Sequence, residues 1–199
     1  MRKLLIATKN KGKIQELSYL LSDLSIELIK LSDIGILDDV EETGITYEEN
    51  SQKKALFYSK KSGFPAIADD GGIEIVALNG EPGVRSRRWL GHEANDAEII
   101  EHMMKISKSL PDNNRGAFFK TVVSYATPDG EVVSAYGEVE GIIAKKPYLK
   151  LLQGYPYRSF FFLPEIGKFY HEDELSKEEE KIYNHRRLAL EKLKHLLLT

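Results

Sequence analysis

Two adjacent carboxylates, Asp69 and Asp70, stand between the apolar runs at residues 66–68 and 73–78 and are followed by Gly71 and Gly72. Neighbouring carboxylates repel, and neither belongs in an apolar segment unless a cation or hydrogen bonds hold it there. Mg²⁺ is the simplest such cation, because it takes oxygen ligands, keeps several waters and usually binds one or two carboxylates together with substrate phosphates. Glu41, Glu42, Glu49 and Glu74 are at hand to complete a site of that kind. The alternative is a polar turn that Asp69 caps and for which the two glycines supply unusual backbone angles.

A second group, Thr8-Lys9-Asn10-Lys11-Gly12-Lys13, joins an apolar run to a helical pattern. The N–H groups and dipole of a helix N-terminus favour an anion, and Gly12 allows close backbone approach, so the segment outlines a phosphate cradle without the spacing of a P-loop. A helix capped by Asn10 and carrying solvated lysines explains the same residues. His185-Arg186-Arg187 follows the acidic run Glu178-Glu179-Glu180 within one helical pattern. These residues either grip a nucleotide or form a solvated basic face. Arg85, Arg87 and Arg88 before Trp89 allow an interface, a binding rim or plain solvation. No nucleophile elbow or Ser-His-Asp arrangement is present, so covalent catalysis has no candidate.

The elements that must position these groups follow from periodicity. Residues 4–7 read as a buried strand. Ile14, Leu17, Leu21 and Leu24 keep helical spacing, and residues 25–31 form the next strand. An acidic loop at 38–42 leads to Thr46 and Glu49, a capping box for a helix running to about Ser59. Residues 66–68 form a strand that the Asp69–Gly72 turn interrupts before residues 73–78 resume it. Asn95 and Glu98 cap a helix with Ile99, Met103, Ile106 and Leu110 on one face. Residues 118–126 and 131–144 form a hairpin across Pro128-Asp129-Gly130. The aromatic stretch 155–162 reads either as a pocket wall or, for residues 160–162, as a strand that packs its Phe side chains into the core, the reading favoured here. Ser176 and Glu179 cap one last helix with Ile182, Ala189, Leu193 and Leu196 on its buried side. Helices dispersed among strands, with a central hairpin, predict an α/β protein with a mixed sheet.

Composition narrows the partners. A chain of 199 residues with 42% hydrophobic and 30% charged side chains can bury a core alone, and one domain over 1–199 is expected. A formal charge of −3 offers no general attraction for a nucleic-acid polymer. There are no cysteines, which excludes thiolate chemistry and disulfides and fits a reducing cytoplasm. The basic, apolar start imitates a signal peptide only as far as Thr8, and no run approaches the ~18–20 apolar residues of a membrane span. A soluble protein without a membrane partner is expected.

Taken in order, these segments resemble the inosine triphosphate pyrophosphatase family. The likeness is carried by Ala7-Thr8-Lys9-Asn10-Lys11-Gly12-Lys13 with Glu16, by Glu41-Glu42-Thr43-Gly44 with Thr46, Asn50, Lys54 and Ala55, and by residues 68–74. It continues through residues 78–84 with Ser86 and Arg88, and Glu180-Lys181 with His185-Arg186. The resemblance implies an elongated mixed sheet with two lobes around a nucleotide-binding cleft, commonly in a homodimer. It implies hydrolysis of ITP, dITP and XTP to the monophosphate and pyrophosphate. Carried over residue by residue, Thr8, Lys9, Asn10, Lys11, Gly12 and Lys13 would bind the triphosphate and Lys54 would touch phosphate. Glu42 and Asp70 would hold Mg²⁺, or Mn²⁺ in its place. Asp70 would also be the proton acceptor, with Lys13 beside it in catalysis, and Lys168, His185 and Arg186 would contact the nucleotide.

The chain also departs from that pattern. Where the family carries G-[FW]-G-[YFW]-D-P, this chain has Gly154-Tyr155-Pro156-Tyr157-Arg158-Ser159. Tyr157 keeps the aromatic face for the base. Arg158 replaces a hydrogen-bond acceptor with a fixed cation that only donates, which puts base selection in question. Gly71 stands where a phosphate-side serine is usual, and Asn184 stands for the serine before His-Arg. Two further readings therefore accompany the first: the same chemistry on another base, or a nucleotide-binding protein without turnover.

Overall fold

The computed structural model describes residues 2–150, 152 and 154–198. Seven strands are present: β1 (Arg2–Ile6), β2 (Ile26–Lys30), β3 (Ala66–Ile75), β4 (Gly116–Ala126), β5 (Val132–Ile143), β6 (Phe161–Leu163) and β7 (Lys168–Phe169). The helices are α1 (Lys11–Leu20), α2 (Tyr47–Ser62), α3 (Asp96–Ser109), α4 (Lys177–Tyr183) and α5 (His185–Leu198). The strands form one sheet in the order β2-β1-β3-β4-β5-β6-β7. It is mixed: β1 runs parallel to β2 and β3, whereas β6 is antiparallel to β5 and β7. The expected α/β class with a mixed sheet is what the chain adopts.

The chain divides into two compact units. The first comprises Met1–Asp70, Thr121–Gly137 and Arg186–Thr199, and the second Gly71–Lys120 and Glu138–His185. In the first unit, strand alternation sorts side chains to two faces. Leu4, Ile6 and Ile67 pack with Leu17, Leu20 and Leu21 around α1 and with Ala189, Leu190, Leu193 and Leu197 of α5. Leu5, Ala7, Ala66 and Ala68 pack with Ala55 and Tyr58 of α2. Gly63, in the left-handed region at φ 72°, ends α2 by donating its N–H to the Ser59 carbonyl.

The second unit buries Ile73, Ile75, Ile99, Met103, Phe119, Ile143, Phe160 and Phe161. Phe119 meets Phe161 and Tyr170 edge-on at 4.8 and 5.4 Å between centroids, a favoured arrangement of ring quadrupoles. Arg115, 8% exposed, closes the C-terminal end of α3 by donating to the carbonyls of Ser107 (2.8 Å) and Leu110 (3.0 Å). Its Nε donates to the carbonyl of Ile143 at 2.6 Å.

Four local expectations are corrected. β3 runs unbroken through Asp69-Asp70-Gly71-Gly72, so no turn exists there. Gly72 serves close approach instead, since a Cβ at that position would lie 2.2 Å from Ser86 Oγ. The single C-terminal helix is two: Asn184 adopts an extended conformation (φ −107°, ψ 104°), which separates α4 from α5 and starts the second helix at His185. Ile182, expected to be buried, is 63% exposed on the short helix α4, none of whose residues is buried. The capping boxes of α3 and α4 form in full, but at α2 only Thr46 caps, accepting from Glu49 N, while the Glu49 carboxylate accepts from Ile45 N. Among the described residues, no helix is long and apolar enough to cross a membrane.

Candidate active site

β3 explains how two neighbouring carboxylates coexist. Successive strand residues point to opposite faces, so Asp69 follows Ile67 toward α1 and α5, whereas Asp70 follows Ala68 toward α2. Each then meets its own cations. Asp69 is fully buried and its Oδ2 accepts from Arg186 Nε at 2.9 Å, with Arg186 Nη2 also at 2.9 Å and Lys13 Nζ at 3.1 Å. Burial pushes the Asp69 carboxyl upward, but the charges of Arg186, Lys13 and Lys54 outweigh it and hold the group well below the usual carboxylate range.

On the other face, Asp70 Oδ2 accepts from Asn50 Nδ2 at 3.0 Å, and Thr121 Oγ1 donates to the Asp70 carbonyl at 2.9 Å. Lys54 Nζ lies 3.7 Å from Asp70 Oδ1 and 2.5 Å from Glu42 Oε1, and donates to the Asp69 carbonyl at 2.8 Å. Two carboxylates, one from the acidic loop and one from the sheet, thus converge on a single ammonium. Burial raises the Asp70 carboxyl above its ordinary range, with Glu42 adding to the effect and Lys54, Lys13 and the Asn50 hydrogen bond opposing it. Burial likewise lowers the Lys13 ammonium, only partly offset by Asp69. In Lys54 the carboxylates of Asp70, Glu42 and Asp69 outweigh the burial that opposes them, and its pKa is raised.

The loop before α1 is built as its residue types suggest. Asn10 caps the helix by accepting from Lys13 N at 3.2 Å, and Thr8 Oγ1 accepts from Asn10 N at 3.2 Å. Lys11 and Gly12 occupy the first turn, whose amides favour an anion. Lys9 turns away to the acidic loop, donating to the Leu37 carbonyl at 2.9 Å and pairing with Asp39 at 3.2 Å. The first unit therefore brings together Lys13, Glu42, Lys54, Asp70 and Arg186. Glu16 and Asn50, noted only as part of a pattern, prove to be partners of Arg186 and Asp70, and Thr121 carried no signal in the sequence.

The second unit holds the remaining candidates. Gly71 lies within β3. Tyr157 is 6% exposed, donates its hydroxyl to the Ser86 carbonyl at 2.5 Å, and tilts toward Trp89 at 6.5 Å between centroids. Arg158 is buried with its guanidinium 4.1 Å from the Tyr155 ring centre and 4.6 Å from that of Tyr170. Lys168 pairs with both oxygens of Glu179 at 2.7 and 2.8 Å, and that hydrogen bond, with those from Ser176, holds the Glu179 carboxyl down at about 2. The His185 ring stacks on Phe119 and its Nδ1 lies 2.8 Å from the Tyr170 hydroxyl. His185 and Arg186 are 3% and 4% exposed, so the solvated basic face is ruled out for both.

The donors around Asp70 and Glu42 suit a hard cation: both are oxygen ligands, and they already share a positive charge in Lys54. Among the described residues no group of three or more His, Cys, Asp or Glu side chains could hold a metal.

Comparison with known proteins finds relatives that match nearly the whole chain. A dITP/XTP pyrophosphatase of Haemophilus influenzae is 40% identical over 198 residues, covering 98% of this chain and 99% of the relative. One from Escherichia coli (strain K12) is 36% identical over 195 residues, 97% and 96% of the two chains. The structure of a HAM1 protein from Coxiella burnetii matches with a TM-score of 0.82 at 35% identity, covering 99% of this chain and 98% of that one. The Staphylococcus aureus Ham1 protein matches with a TM-score of 0.79 at 35% identity over 98% of both. The sequence profile of the Ham1 family matches residues 4–196, and with near full-length relatives in both sequence and structure the chain belongs to the Ham1 family.

Proposed function

We propose that this protein hydrolyses non-canonical purine nucleoside triphosphates such as ITP, dITP and XTP to the nucleoside monophosphate and pyrophosphate, clearing them from the nucleotide pool. The observation that carries the reading is the convergence of Glu42 and Asp70 on Lys54, on the sheet whose β1 leads into the lysine-rich start of α1. The names of near full-length relatives support the same chemistry.

In this reading the α1 N-terminus with Thr8, Lys9, Asn10, Lys11, Gly12 and Lys13 receives the triphosphate, where helix amides and ammonium groups offset its charge. Glu42 and Asp70 are the residues that would hold Mg²⁺, or Mn²⁺. When bound, the cation neutralises phosphate charge and lowers the pKa of water. Asp70 takes a proton from the attacking water, a task that suits a carboxylate whose pKa burial has raised. The α–β phosphoanhydride bond breaks as the water oxygen bonds to phosphorus, and Lys13 and Lys54 stabilise the charge on the departing pyrophosphate. Tyr157, Arg158, Lys168, His185 and Arg186, with Gly71, are assigned to the nucleotide end. We read residues 1–199 as one functional domain, acting as a homodimer in the cytoplasm, a compartment the absence of cysteine fits.

Arg158 favours a second reading of the base. A guanidinium held between two tyrosine rings donates where an aspartate would accept, and so favours a carbonyl-rich edge. Pyrophosphate release with Mg²⁺ across ITP, dITP, XTP and the canonical triphosphates tests both. Release from ITP, dITP or XTP that Asp70→Asn removes is expected. Release only from other nucleotides would move the substrate, and release from none would leave a nucleotide-binding protein.

A further inference from the structure

One buried charge in the first unit has no part in the reaction just described. Glu16 lies on α1 three residues after Lys13, its side chain 10% exposed, and its Oε2 accepts from Arg186 Nη1 at 2.5 Å. Arg186 directs Nε and Nη2 to Asp69 Oδ2, and Lys13 Nζ lies 3.1 Å from that same oxygen. Lys13, Asp69, Arg186 and Glu16 thus form a linear circuit of two cations and two anions that runs through α1, β3 and α5. That balance is what allows four charges to be buried together.

We propose that Glu16 is a positioning residue for Lys13, acting through Arg186 and Asp69. The inference rests on the reading of Lys13 as a phosphate-side lysine. Asp69 Oδ1 accepts no hydrogen bond in the structure, so Oδ2 is the carboxylate oxygen that Arg186 and Lys13 share, and Lys13 Nζ also donates to the Asp69 main-chain carbonyl at 3.3 Å. Glu16 neutralises Arg186 from its far side and holds the guanidinium so that Nε and Nη2 face Asp69. Without that charge the guanidinium is no longer balanced from its far side, draws harder on Oδ2 and repels the ammonium of Lys13 beside it. Lys13 then loses the anchor that aims it at incoming phosphate.

The test is a double-mutant cycle on the binding of inorganic pyrophosphate with Mg²⁺, measured by titration calorimetry on the full chain. The proteins are the parent, Glu16→Gln, Lys13→Ala and the double variant, with thermal unfolding of each. Loss of one charge-assisted contact predicts about tenfold weaker binding for Glu16→Gln. Lys13→Ala should lose at least as much, and the double variant no more than Lys13→Ala alone, because Glu16 acts through that lysine. A purely structural Glu16 would add its loss to that of Lys13→Ala. Binding by Glu16→Gln within about twofold of the parent, or losses that multiply in the double variant, overturns the proposal. If Glu16→Gln fails to fold, Glu16→Asp keeps the charge but retracts it and should fall between parent and Lys13→Ala. Turnover of ITP by the parent is measured alongside. Turnover with an additive cycle removes only the role of Glu16, whereas neither turnover nor pyrophosphate binding removes the phosphate-side reading and this inference together.

Discussion

Two buried arginines show how differently the two units use the same side chain. Arg115 in the second unit spends its guanidinium on three backbone carbonyls and closes one end of α3. Arg186 in the first unit directs its own to carboxylates, among them Asp69 and Glu16. Carbonyl partners are neutral and fixed by the main chain, so Arg115 fastens elements together with its donors and is tied to no ionisable group through them. Carboxylate partners have ionisation states and further neighbours. Asp69 in turn touches Lys13, and on the opposite strand face Asp70 touches Lys54. The same guanidinium is a clasp in one unit and a member of a charge circuit in the other.

The contrast between the units can be broken at several points. The largest effect is expected from Asp70→Asn, which removes the proton acceptor and should lower pyrophosphate release by about 10³-fold or more. Because burial disfavours that carboxylate, the variant's Tm should equal or exceed the parent's; a lowered Tm would mean Asp70 serves the fold. Next, Arg186→Met leaves Asp69 buried without its main partner and should cost about 3–5 kcal/mol in urea unfolding. Arg115→Met should cost less, about 2–3 kcal/mol for lost charge-assisted bonds to carbonyls, and leave turnover per folded molecule unchanged. Equal losses of activity in the two variants would erase the distinction between clasp and circuit.

Acid sharpens the same contrast. The folded-state pKa of Asp69 is depressed, so its contribution to stability is complete above the unfolded value of about 3.9 and is lost as pH falls below it. Asp69→Asn should therefore flatten the decline in Tm below about pH 4, whereas Arg115→Met should lower Tm by the same amount at every pH. The smallest effect is expected at the base. Arg158→Asp should change the ratio of ITP to XTP turnover by about tenfold or less in favour of ITP, since one hydrogen-bonding group is exchanged for its opposite.

Much of this architecture is legible in the sequence. Strand, loop and helix at the start of the chain, the Asn10 cap, the Asn95–Glu98 and Ser176–Glu179 boxes and the hairpin over residues 127–131 all rest on short-range rules, and all form. Phe160 and Phe161 are buried as their bulk suggested, but the strand starts only at Phe161, Phe160 ends a 3-10 turn, and Phe162 is half-buried because alternation turns it to the other face. The misreadings share one cause. Asp69-Asp70-Gly71-Gly72 has turn composition, yet it is strand, because partners distant in the chain neutralise each carboxylate on its own face. The helical pattern from Ser176 onward is continuous in composition, but Asn184 breaks it in three dimensions.

By itself the sequence determined which groups are available: lysines at a helix start, a carboxylate pair in an apolar setting, a His-Arg pair, and the order of elements that carries them. Those follow from side-chain chemistry and from periods of two and 3.6 residues, which act over a few positions. Only the tertiary structure decided which charge meets which. Glu16 and Arg186 are separated by 170 positions and Asp69 and Arg186 by 117, and no local rule reaches so far. The desolvation that raises Asp70 and the counterions that hold Asp69 down exist only once the chain has excluded water around them.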